Sequence, residues 1–82
     1  MTYWDIQTKL ILELGDLGYT FKLRDRIPIF KVYMQLMKLA KKKPNLEEQI
    51  TNVLDLLEYQ LALRQAGLEP PLLTKDRYKS GT

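Results

Sequence analysis

At 82 residues and 45% hydrophobic, 28% charged composition, the chain has room for one small core and is too apolar to stay disordered. It has no cysteine, no histidine and a single serine, Ser80, which excludes disulfide staples, thiolate and imidazole metal sites, and Cys or Ser-His-Asp nucleophiles. A formal charge of +3 leaves the chain nearly balanced as a whole, so any electrostatic preference has to come from the placement of charges.

Thr2 precedes Tyr3-Trp4-Asp5, the pattern of a capping box in which the hydroxyl accepts from the first-turn amides and the carboxylate reaches back. A first helix is predicted over residues 3–17. Tyr3, Ile6, Leu10, Leu14 and Leu17 share one face at helical spacing, and Trp4 and Ile11, seven apart, form a narrower second stripe. Gly18 lies where a helix C-cap glycine is expected.

Residues 19–24, Tyr-Thr-Phe-Lys-Leu-Arg, alternate apolar and polar with the period of a strand. A lone strand leaves its N–H and C=O groups without a ladder partner. The segment is therefore either a solvated extended loop or a strand paired with a second chain.

Pro28 suits the start of a second helix over residues 28–42. Ile29, Phe30, Val32, Tyr33, Met34, Leu36, Met37, Leu39 and Ala40 cover more than half its circumference, which predicts the central, most buried helix. Lys31, Gln35, Lys38 and Lys42 share the remaining exposed edge. Pro44 ends this helix, and Asn45 with Glu48 predicts a second capping box opening a third helix over residues 46–66. Its main face holds Leu46, Ile50, Val53, Leu54, Leu57 and Leu61, opposite an acidic arc of Glu47, Glu48, Asp55 and Glu58. Leu56, Tyr59 and Leu63 form a further stripe that needs a cover, either a partner or the chain's own first helix or residues 68–73. Gly67 and Pro70-Pro71 end the helix, leaving a proline-initiated basic tail over residues 70–82 beyond a single helical domain at 1–69.

Charge follows these elements in blocks. Residues 1–18 carry Asp5, Lys9, Glu13 and Asp16, whereas residues 19–43 carry eight cations against Asp25 alone. Residues 44–69 are acidic again, with Glu47, Glu48, Asp55, Glu58 and Glu69 against Arg64. The basic block either attracts phosphate or an acidic partner or is neutralised by the acidic third helix of the same molecule or of a dimer mate. The glycines match no phosphate-binding loop, and the carboxylates match no EF-hand spacing.

The order strand, helix, helix over residues 19–66 resembles the ribbon-helix-helix family of dimeric DNA-binding proteins. The resemblance implies that Thr20, Lys22 and Arg24 read base edges from a two-chain ribbon while Phe21 and Leu23 face the core. In merely electrostatic nucleic-acid binding, by contrast, Lys31, Lys38 and Lys42 on the edge of the second helix would matter as much as Lys22 and every sequence would bind alike. The sequence departs from that family in placing Glu47 and Glu48 where a phosphate would approach the next helix.

The leading expectation is an all-α, three-helix, non-enzymatic interaction module with no cofactor and no metal. Its partner is another protein or a second copy, covering Trp4, Ile11, Leu56, Tyr59 and Leu63. The alternative is a dimeric DNA-binding regulator. No apolar run approaches the roughly 20 residues of a membrane span, and the first residues lack a basic leader. A soluble, unprocessed cytoplasmic chain without membrane contact is expected.

Overall fold

The computed structural model describes residues 2–70. The basic tail expected beyond Pro70 lies outside these residues. Three helices form, α1 (Tyr3–Asp16), α2 (Ile29–Lys42) and α3 (Glu47–Gln65), with a short 3-10 turn at Pro44–Leu46 between the last two. The all-α, three-helix architecture is as the sequence predicts, and the described residues include no strand.

The start of α1 is set locally. Thr2 Oγ1 accepts from the Asp5 N–H at 3.2 Å and the Asp5 carboxylate accepts from the Thr2 N–H at 2.9 Å, completing the capping box. Two helices end alike. The Tyr19 N–H donates to the Leu14 carbonyl and the Gly18 N–H to Gly15, while the Leu68 N–H donates to Leu63 and the Gly67 N–H to Arg64. Both pairs are Schellman closures, which require a left-handed residue, and Gly18 (φ +96°) and Gly67 (φ +76°) supply it. The second predicted capping box does not form. Residues 44–46 wind as a 3-10 turn directly into α3, whose first turn has no side-chain cap, because Asn45 lies inside that turn instead of before it.

α3 is the middle element: α1 and α2 each pack on it and not on each other. This corrects the expectation that the second helix is central. A helix contacted on one side buries only one stripe, so α2 contributes Ile29, Val32 and Leu36 to the core and leaves Phe30, Met34 and Met37 exposed. α1 contributes Ile6, Leu10 and Leu14, and α3 contributes Ile50, Val53 and Leu57. Ile27, in the connection before α2, is completely buried with them.

Residues 19–24 are irregular, with a turn at Leu23 and Arg24. Phe21 packs on the core, but Leu23 is 54% exposed, contrary to the inward position that strand alternation gave it. The cause is visible in the hydrogen bonds. The Asp25 carboxylate accepts from the Lys22 N–H at 2.8 Å and the Asp25 N–H donates to the Lys22 carbonyl at 2.9 Å, closing a turn that breaks the period of two. The buried Gln7 side chain, from α1, donates to the carbonyls of Leu23 and Asp25 and fastens this turn to the helices. The orphan-strand problem is thus answered in part within the chain.

Candidate docking surface

A polar network runs through the contact between α1, α3 and the connection to α2. Gln60 donates to Gln7 at 2.6 Å, and both amides are buried. The Arg64 guanidinium donates to the Tyr3 hydroxyl at 2.9 Å, to the Ile27 carbonyl at 3.0 Å and to Gln60 at 3.4 Å. Glu69 closes the network with a paired contact to Arg26 at 2.8 and 3.1 Å and lies 3.7 Å from Arg64. The hydrogen bond from Arg26 holds the Glu69 carboxyl below its ordinary value, against the opposing effect of partial burial. Burial pushes the Tyr3 phenol up, with the neighbouring guanidinium opposing. Among the described residues no buried side-chain polar atom lacks a partner. A network satisfied throughout holds α1, α3 and the connection to α2 together.

The surface of α2 is built differently. At 100° per residue, Phe30, Met34 and Met37 fall within about 60° of one another, and they are 72%, 60% and 43% exposed. About a quarter turn further round lie Lys31, Lys38 and Lys42, all exposed as the sequence predicts. Lys41 projects from the C-terminal end of the apolar stripe itself, and α2 contains no acidic residue. At the other end the stripe runs into a cleft of about 340 Å³ whose lining includes Arg26, Phe30, Lys31, Leu61 and Arg64. None of these lysines makes an ion pair with α3 among the described residues. Among the described residues the ion pairs are those of Arg26 and Arg64 with Glu69.

The predicted partner residues are split by the fold. Leu56 and Leu63 are half-buried and pack against the core, as does Ile11 on the facing helix. Leu56 borders the groove that Lys9 and Glu13 of α1 also line, so part of the stripe that needed a cover meets the chain's own first helix. Tyr59 remains 49% exposed at a shallow groove shared with Lys9, Glu13 and Leu56. Trp4 is half-buried, edge-on to Tyr3 with ring centroids 5.7 Å apart, and lines a small cleft with Thr8, Leu23 and Arg24. Thr20, Lys22 and Arg24 are exposed, but they lie on a loop with an internal turn, so the structure does not range them along a ribbon.

Phe30, Met34 and Met37 were not singled out by sequence. Their signal is nonetheless the one that marked Leu56, Tyr59 and Leu63: apolar residues at spacings of four and three, in excess of what one core-facing stripe needs. Which of the two excess stripes is covered depends on which helix lies in the middle.

No group of His, Cys, Asp or Glu that could hold a metal is present among the described residues, and no helix of theirs is long and apolar enough to cross a membrane. Comparisons of the chain with protein-family models, curated proteins and solved structures find no match.

Proposed function

We propose that this chain is a small non-enzymatic interaction module that docks onto another protein through the outer face of α2. The observation that carries the reading is the stripe of Phe30, Met34 and Met37, three large apolar side chains side by side and exposed on one helix face. An exposed contiguous apolar strip rimmed by polar residues is characteristic of interaction sites. The reading also agrees with the inventory: no histidine, no cysteine and one serine leave few groups for nucleophilic or metal-assisted catalysis. A chain free of cysteine suits a reducing compartment such as the cytoplasm, although it does not require one.

A DNA-reading ribbon over residues 19–24 has less support, since the Lys22 N–H and the Leu23 carbonyl are already engaged within the chain. The test is site-directed photo-crosslinking in the cells that make the protein. A photoreactive residue at position 34 should yield an adduct with a defined protein, whereas one at Glu48, on the outer face of α3, should not. Adducts at position 48 but none at 34 would overturn the reading, as would sequence-selective DNA binding that is lost on Lys22→Ala.

A further inference from the structure

Resting on that docking reading, we infer that the occupant of the α2 face is an amphipathic helix of another protein carrying an acidic edge. The argument is one of shape and charge. Phe30, Met34 and Met37 stand at i, i+4 and i+7, the spacing at which one helix lays anchors along another. Two of the three are methionines, whose unbranched, polarizable side chains adapt to the apolar groups laid on them. Cations bound the stripe on one long edge, through Lys31, Lys38 and Lys42, and at its C-terminal end, through Lys41. At the N-terminal end Arg26, Lys31 and Arg64 line the cleft beside Phe30 and Leu61, with Glu69 the carboxylate paired to both arginines. A helix with apolar anchors and acidic residues along the matching flank satisfies both features at once.

A second copy fits poorly. In an antiparallel symmetric pair the same edges of the two helices meet, so Lys31, Lys38 and Lys42 would face their own counterparts. In a parallel pair the Lys41-Lys42-Lys43 ends would come together. Both arrangements set like charges against each other beside only three apolar residues per chain. Head-to-tail packing of α2 on the acidic arc of α3 would match charge, but it would press the stripe against Glu48 and Asp55, where Tyr59 is the exposed large apolar side chain of α3. A lipid surface is also a weaker match. Interfacial helices bury a broad apolar face, whereas the broad face of α2 is already used against α3 and the free strip spans about 60°.

The test uses two displayed peptide libraries of about five helical turns with the same apolar pattern at i, i+3, i+4 and i+7. One carries Glu at the flanking positions and the other carries Lys. Selection on the full chain should return binders from the Glu library. Fluorescence anisotropy of the best binder should show affinity that falls with added salt and drops at least about tenfold in Phe30→Ser with Met34→Ser. Lys31→Glu with Lys38→Glu should weaken it as well, and both variants should keep wild-type circular dichroism. Met34→Ser alone provides a milder variant should the double substitution perturb folding. Binders drawn equally from both libraries, or from neither, would overturn the inference. So would binding to phosphatidylserine vesicles that the same substitutions abolish, or a dimer in sedimentation equilibrium that they dissociate. If position 34 still crosslinks to a protein while neither library yields a binder, the acidic-helix inference alone fails. If crosslinking fails too, the docking reading fails with it.

Discussion

α1 and α2 are both 14 residues long and both lie on α3, yet they are put together in opposite ways. α1 buries Tyr3, Ile6, Gln7, Leu10 and Leu14, begins in a capping box, ends in a Schellman closure and sends Gln7 into a satisfied polar network. α2 buries Ile29, Val32 and Leu36, begins without a side-chain cap and shows three large apolar side chains to solvent. Local signals and tertiary contacts agree along the buried face of α1, although Leu12 is left 65% exposed on its outer side, and such agreement is the condition for a segment that specifies the fold. In α2 the apolar surface exceeds what the core can accept. The surplus has no structural explanation within the described residues, and a surplus of that kind is where a binding surface is to be sought.

The contrast can be broken most forcefully in the core. Leu10→Ala and Leu36→Ala remove completely buried side chains from α1 and α2 in turn, and each should cost about 2–5 kcal/mol in urea unfolding. If α1 is the more tightly specified helix, Leu10→Ala should lie at the upper end of that range and Leu36→Ala lower, because α2 has solvent on its other side into which it can shift. Equal losses would show that the two helices are equally constrained.

Next in size is the network. Gln7→Ala strands the Gln60 amide and the carbonyls of Leu23 and Asp25, and leaving buried polar groups unpaired costs about 1–3 kcal/mol. Hydrogen exchange should then show residues 19–25 opening more readily, since Gln7 is what fastens their carbonyls to α1. A smaller loss of about 1 kcal/mol is expected for Thr2→Ala, the cap of α1.

The acid dependence is smaller again, and its sign is fixed. Because the Glu69 carboxyl is held below its ordinary value by Arg26, its contribution is fully present above the unfolded value of about 4.3 and is lost as pH falls through the lower folded value. The difference in Tm between wild type and Glu69→Gln should therefore be constant at neutral pH and shrink below about pH 4. A gap that widens on acidification would contradict the assignment.

The smallest expected effect is the most informative. Phe30→Ser and Met34→Ser should each change stability by no more than about 0.5 kcal/mol, because these side chains are mostly in water, and Met37→Ser, at a position 43% exposed, by slightly more. Substantial destabilisation by any of them would place the stripe in the fold and remove the contrast on which the docking reading stands.

Much of this molecule is legible in its sequence, for a physical reason. Capping boxes, C-cap glycines and apolar periodicity are local, so Thr2 with Asp5, Gly18, Gly67 and the stripe of Ile6, Leu10 and Leu14 place three helix ends and one helix face without reference to the rest of the chain. The inventory excludes histidine and cysteine chemistry in the same direct way. Tertiary structure decided what depends on residues far apart. Which helix is central cannot be read from the apolar content of one helix, since coverage is supplied by its neighbours. For that reason α3 took the middle position, Leu56 and Leu63 packed against the core, and Phe30, Met34 and Met37 were left outside. The same holds for the pairing of Gln7 with Gln60, 53 positions apart, and of Arg26 with Glu69, 43 apart. Neither pair has a periodic or local signature, because a buried polar contact is chosen by the geometry that packing creates around it.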